Sequence, residues 1–207
     1  MSDFDARARD WDMDPMRIER ANAVAMGIRQ RVALAPNMSA LEYGCGTGLL
    51  SFRLSRELGS ITLADTSEGM LEVVRNKITA KVCCAMTAVH LDLLTDSIGE
   101  QHFDLVFTMM TLHHIPDTEA IVKRFYDVLR AGGHLCVADL DREDGSFHGP
   151  GFTGHLGFDR DALRRVVRRR GFSSIVFDTV YRIGKTVHGE RREFPVFLMT
   201  AQKPPVP

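Results

Sequence analysis

Residues 41–50, LEYGCGTGLL, set Gly44, Gly46 and Gly48 on alternate positions directly behind a short strand-like run. Glycines at such a point let the backbone turn sharply and leave room for a ligand to lie against it. Asp65 follows Gly46 by 19 residues, at the end of the next strand-like run, where a carboxylate is well placed to hydrogen-bond a ribose diol. The combination predicts a nucleoside-containing cofactor held by the first half of a doubly wound sheet.

Outward from the turn, strands and helices alternate. Apolar side chains at helical spacing mark a helix over 16–34, closed by Pro36 and Asn37. Ser39 to Tyr43 reads as a buried strand, Leu49 to Leu58 as the helix behind the glycine turn, and 60–64 as a second strand ending at Asp65. A helix is expected from Glu68 to about Ala80, a third strand over 86–90 and a fourth over 103–108. A helix from Asp117 to Arg130, stopped by Gly132 and Gly133, leads to a fifth strand over 134–138. Beyond an irregular segment, 139–158, a helix runs from Asp159 to Arg170. Two last strands, 174–181 and 194–201, read as an antiparallel hairpin at the sheet edge, with Gly184 and Gly189 between them. The alternation predicts an α/β fold: a Rossmann-like, seven-stranded, mostly parallel sheet with helices on both faces and an antiparallel strand at the edge.

The chain has 207 residues with 44% hydrophobic composition, enough for one core and one domain. Within it, 1–36 is expected to form an N-terminal helical lid and 37–140 the cofactor-binding core, with 141–203 supplying a substrate-facing loop, helix and edge hairpin. A formal charge of -1 argues against a surface built to neutralise a phosphate backbone. No run approaches the ~20 apolar residues that span a bilayer, and the charged start lacks a signal core, so a cytoplasmic location is expected. The four cysteines, Cys45, Cys83, Cys84 and Cys136, have no disulfide-framework or metal-binding spacing. The vicinal pair Cys83-Cys84 raises arsenic chemistry or redox control, but small buried or loop cysteines are far commoner, and the pair lies before the third strand, not at its ligand-facing end.

Three cofactor classes use a glycine turn after a first strand. A P-loop needs a lysine behind the turn, and none follows. A dinucleotide fingerprint needs GxGxxG, and here Leu49 stands where its last glycine would be. Glu42, two places before the first glycine, suits a cationic ligand group better than a pyrophosphate.

With these residues the chain resembles the class I S-adenosylmethionine-dependent methyltransferases, in particular the small-molecule branch often labelled type 11 or 12. LEYGCGTG is similar to that family's (E/D)xGxGxG motif. LADTSEGML, residues 63–71, is similar to its second motif, HLDLL, residues 90–94, to the segment whose acid meets the adenine amino group, and FDLVFTMMTLHHIPD, residues 103–117, to the fourth-strand motif. The resemblance implies S-adenosyl-L-methionine as cofactor and S-adenosyl-L-homocysteine as product. The implied contacts are Trp11, Glu42, Gly44, Cys45, Gly46, Gly48, Asp65, Thr66, Met70, Asp92, Leu93 and Met109, with Asp65 on the ribose and Asp92 at the adenine. Phe4 to Asp12 is similar to an FDxxAxxWD phrase that folds over the cofactor as a lid, so Trp11 either covers the sulfonium or anchors the N-terminal segment.

Transfer from a sulfonium needs alignment more than acid–base chemistry, although a hydroxyl acceptor also needs a base. The candidate bases lie beyond the fourth and fifth strands: His113, His114, Asp139, Asp141, Glu143, His148 and His155, with His114 and His148 put forward. No HExxH or Cys/His cluster predicts a metal. Arg164 to Arg170 reads as a solvated helix face rather than an RNA-binding one. The expected partner is a small-molecule methyl acceptor, without membrane or nucleic acid, acted on by a monomer or homodimer. An RNA or protein methyltransferase, or a non-catalytic S-adenosylmethionine-binding module, is the alternative.

Overall fold

The computed structural model describes residues 3–81, 83, 85–99 and 101–206. A short helix α1 (Asp3–Arg7) and a 3-10 turn (Ala8–Met13) precede the long α2 (Pro15–Arg31). Then follow β1 (Ser39–Tyr43), α3 (Ser51–Leu54), β2 (Ser60–Asp65), α4 (Glu68–Lys81), β3 (Met86–His90) and β4 (Phe103–Met109). The remaining elements are α5 (Thr118–Val128), β5 (Leu129–Leu140), α6 (Arg160–Arg169), β6 (Ser173–Val187) and β7 (Glu190–Gln202).

The seven strands form one sheet in the order β3-β2-β1-β4-β5-β7-β6. β1 to β5 run parallel, and β7 pairs antiparallel with both β5 and β6. The order reverses beside β1, and open parallel sheets bind ligands at such a switch point, outside the carboxyl ends of the strands. Strand alternation sends side chains to two cores. Ala40, Leu105 and Phe107 pack on one face with Val24 and Ile28 of α2 and Leu71 and Val74 of α4. Leu41, Val106 and Val137 pack on the other with Phe125 of α5 and Val167 of α6.

Four boundaries differ from expectation, the first being α2, which ends at Arg31 rather than 34 because Val32 already turns extended. The segment behind the glycine turn forms only the four-residue α3, because its amides mix two ladder types. Phe52 and Leu54 bond four residues back, to Gly48 and Leu50, but Arg53 and Glu57 bond three back, to Leu50 and Leu54. The helix ahead of β5 stops at Val128, where Leu129 turns extended and pairs with Phe103. Gly132 and Gly133 therefore belong to β5, tied to Lys203 through both an amide and a carbonyl. The final hairpin is longer than expected, with a two-residue turn at His188 and Gly189, both at positive φ (49 and 84). That backbone suits the twist of tight hairpins. The pair Cys83-Cys84 cannot be assigned geometry as a pair, since Cys84 lies outside the described residues; Cys45, Cys83 and Cys136 are free thiols. Among the described residues no helix is long and apolar enough to cross a membrane.

Candidate active site

The site begins with the turn after β1. Gly44, Gly46 and Gly48 all take positive φ, 67, 53 and 78, a conformation that costs most other residues about 1–2 kcal/mol. A Cβ on Gly44 would lie 2.2 Å from Thr111 Cγ2, and the Thr111 hydroxyl donates to the Gly44 carbonyl at 3.1 Å. A Cβ on Gly46 would instead find only Trp11 Nε1, at 3.9 Å, within contact range. The turn is thus closed on the β4 side and open beneath the tryptophan.

Asp65 fixes this shape. Its Oδ2 accepts the Gly46 amide at 2.7 Å and its Oδ1 the Ser67 amide at 2.9 Å. One carboxylate therefore ties the glycine turn to the end of β2 and still has lone pairs for a ligand. Burial pushes Asp65 above the usual carboxylate range, against the opposing pull of these amides. Asp92, past the end of β3, accepts the Tyr43 hydroxyl at 3.2 Å and the Leu94 amide at 2.9 Å on Oδ1. Glu42 is 1% exposed, and its Oε2 accepts the Ser51 amide at 3.1 Å and the Ser51 hydroxyl. Burial pushes its carboxyl up to about 8.

These groups wall a cavity of about 270 Å³ at the carboxyl ends of the strands. Trp11, Glu42, Gly44, Cys45, Gly46, Asp65, Thr66, Met70, Asp92, Met109 and His114 all line it. Gly48, Leu93 and His148 are not among its lining residues. Gly48 packs toward Leu63 and Phe52, Leu93 is fully buried in the α5-side core, and the His148 ring stacks on Phe152 at 3.7 Å. The cavity also takes Phe4, Arg17, Arg20, Thr47, Met110 and Thr111 into its wall. The helical spacing of Arg17 and Arg20 on α2 was legible in the sequence, but nothing there says which face of α2 meets the turn.

The N-terminal segment closes the cavity from above. Asp5 accepts from the Ser67 hydroxyl at 2.6 Å and the Gly69 amide at 3.0 Å, at the start of α4. Asp12 accepts from the Thr47 hydroxyl and pairs with Lys77. Trp11 lies edge-on to Phe4, and the Arg17 guanidinium covers its ring at 3.8 Å. Trp11 is at once a wall of the cavity and an anchored residue.

Where β4 ends, Met110 takes φ 56, a left-handed conformation for a residue with a side chain, held by its N–H donating to the Ala138 carbonyl at 2.8 Å. Such strain, of order 1–3 kcal/mol, persists where the surroundings over-determine it. Just beyond, Asp139 is fully buried and grips His113: Oδ1 meets the ring Nδ1 at 2.6 Å and Oδ2 accepts its amide at 3.1 Å. The rings of His113 and His114 are 4.1 Å apart, and those of His113 and His148 4.9 Å. Burial, then repulsion from His113, lowers both His114 and His148 to about 4. Both rings are neutral at pH 7. Among the described residues no group of His, Cys, Asp or Glu has the geometry to hold a metal ion.

Residues 40–133 match the family model of a methyltransferase domain. The chain is 29% identical over 153 residues to an uncharacterized methyltransferase of Schizosaccharomyces pombe, covering 66% of this chain and 54% of that protein. It is 28% identical over 156 residues to a ubiquinone biosynthesis O-methyltransferase of Alkalilimnicola ehrlichii, covering 70% and 60%. The chain thus spans less than two thirds of the length of these relatives. In fold it is similar to the protein bound to the Haloferax volcanii Trm112 methyltransferase activator, with a TM-score of 0.76 and 15% identity over 99% of both chains. The sheet order, with its antiparallel edge and flanking helices, defines an α/β domain of the Rossmann-like kind. The family model and these relatives indicate a class I S-adenosylmethionine-dependent methyltransferase of the type 11 and 12 kind.

Proposed function

We propose that the chain binds S-adenosylmethionine in the cavity above β1, β2 and β4 and transfers its methyl group to a small-molecule acceptor. The observation that carries this is Asp65, one carboxylate bonded to both the Gly46 turn and the start of α4, facing the same cavity as Asp92. The donor set fits the cofactor. Asp65 offers acceptors to a ribose diol, Asp92 to an adenine amino group, and Glu42 a buried carboxyl to a cation. Gly46 leaves open the space that a Cβ would narrow. The relatives named for ubiquinone biosynthesis support a small-molecule acceptor for this chain.

S-adenosylmethionine supplies a methyl group already activated by its sulfonium, so the chain's residues have to align and shelter. Trp11 and Phe4 exclude water from the cavity mouth, and the aromatic face favours a nearby cation. His114 is the histidine of the cavity wall. Neutral at pH 7, it accepts a hydrogen bond from an acceptor O–H or N–H and turns that group's lone pair toward the methyl carbon. Asp139 acts one step back, fixing His113 and with it the loop that carries His114.

Calorimetric titration with S-adenosylmethionine tests the reading, and one-to-one binding is expected. Methyl-transfer assays against a metabolite extract, followed by mass spectrometry, then test turnover. A folded protein that binds no S-adenosylmethionine overturns the proposal, and binding without any methylated product would leave a cofactor-binding module in its place.

A further inference from the structure

Arg17 and Arg20 stand one turn apart on α2, and both line the cavity. Arg17 is engaged. Its Nη1 donates to the Trp11 carbonyl at 3.0 Å, and its Nε lies 3.3 Å from Asp14 Oδ2. Arg20 has no such partner: its Nε is buried, and no described residue accepts a hydrogen bond from it. The acids nearest in the structure are already taken. Asp14 holds the Met16 amide and Arg17, Glu19 accepts the Tyr181 hydroxyl at 2.9 Å, and Asp139 holds His113 and the Leu140 amide. Burial first, then repulsion from Arg17, lowers the Arg20 pKa, yet a guanidinium remains charged in a protein. A largely buried cation with an idle Nε donor is unfavourable unless the occupant of the cavity brings the counter-charge.

The position of Arg20 says which occupant. Asp92, Asp65 and the glycine turn follow β3, β2 and β1, at one side of the sheet. Arg20 feels Asp14 ahead of α2, then Tyr181 of β6 and Asp139 near the end of β5; Glu19 beside it bonds Tyr181, and α2 packs against β6 and β7. It therefore stands on the far side of β4 from the ribose-binding acid, where a methyl acceptor has to lie if the cofactor runs from β3 toward β4.

We infer that the methyl acceptor is an oxyanion, a carboxylate or phosphate monoester, whose charged end pairs with the Arg20 guanidinium. This rests on the proposed methyl transfer. The planar fork suits either group, because both present two oxygens at matching spacing. The methionine carboxylate of the cofactor has the same chemistry and is the competing source.

The test uses the full chain, labelled S-adenosylmethionine, and a metabolite extract split on a strong anion exchanger at neutral pH. Methyl-accepting activity is expected in the retained fraction. Arg20→Gln should raise the KM for that fraction by about 10- to 100-fold, the loss expected for a charge-assisted pair, while the Kd for S-adenosylhomocysteine changes less than twofold. Arg20→Lys, which keeps the charge and loses the fork, should fall between, and its melting temperature checks that the fold is intact. Acceptor activity in the flow-through overturns the inference and leaves methyl transfer standing. A large loss of S-adenosylhomocysteine affinity in Arg20→Gln, with acceptor KM unchanged, also overturns it and assigns Arg20 to the cofactor. If no fraction accepts a methyl group, the transfer reaction fails and the inference falls with it.

Discussion

Binding of S-adenosylmethionine should expel a proton, and Glu42 is its source. The carboxyl is buried at the foot of the glycine turn, and burial raises it from an ordinary 4.5 to about 8. At pH 7 about nine-tenths of the free protein then carries Glu42 protonated. A cation arriving in the cavity favours the carboxylate. If that attraction returns Glu42 to its ordinary range, binding at pH 7 releases about 0.9 proton. The apparent affinity gains about tenfold per pH unit and levels off above pH 8. Calorimetry in phosphate and in Tris, whose ionisation enthalpies differ, reads the proton number directly. Glu42→Gln keeps the shape and the Ser51 contact, so it should release no proton and bind with pH-independent affinity. An enthalpy for the native protein that is the same in both buffers would refute the reasoning. The stability of the ligand-free protein carries the opposite sign. The folded-state value lies above the unfolded one, so the contribution of Glu42 is complete below about pH 4.5 and is lost as pH rises through about 8. That interval corresponds to at most about 5 kcal/mol, so Glu42→Gln should gain melting temperature on the native protein at alkaline pH.

Asp65→Ala removes the acceptor of two backbone amides and of the expected ribose contact. S-adenosylmethionine affinity should fall by about 1.5–3 kcal/mol, read by calorimetry, and an unchanged Kd would remove Asp65 from the binding site. Gly44→Ala forces a side chain into a left-handed conformation and into Thr111, 2.2 Å away. It should cost about 1–2 kcal/mol from the backbone alone, seen as a lower denaturation midpoint, and Thr111→Gly in the same chain, which also removes the Thr111 Cβ 2.8 Å away, should relieve the clash with that side chain but not the backbone cost. Trp11 is the chain's single tryptophan, so its emission should shift when S-adenosylhomocysteine fills the cavity below it. Emission indifferent to saturating ligand would make Trp11 an anchor and nothing more.

The sheet core was legible because its signals are local. SALEY and SITLAD are short apolar runs bounded by turn residues, and both strands start and end where the pattern placed them. The glycine turn and Asp65 were likewise readable, since each answers to a fixed spacing along the chain. The errors came where distant contacts decide. Leu129 has the local pattern of a helix end, but pairing with Phe103 draws it into β5. Leu93 follows Asp92 in a motif-like phrase, yet its side chain turns into the core while Leu94 lines the cavity. His148 sits in a segment that sequence alone leaves free, whereas stacking on Phe152 withdraws it behind His114. The role of Arg20 could not be read at all. An arginine on a helix is ordinary, and only the packing of α2 on β6 and β7 buries its Nε without a partner.

The place of β7 in the sheet has a consequence for how the chain folds as it is synthesised. β7 is the last strand in chain order, yet it lies between β5 and β6. While residues 190–202 are still inside the ribosome, β5 has no neighbour on that side, and its backbone edge is open to any other nascent strand. β6 cannot fill the gap without its hairpin partner, because its pairing runs entirely through β7. The domain therefore cannot be completed from its amino end by stepwise addition; the closing event inserts one hairpin arm. A chain stalled or cleaved before Glu190 would keep the cofactor half of the sheet but carry an unpaired edge at Asp139, where aggregation would begin.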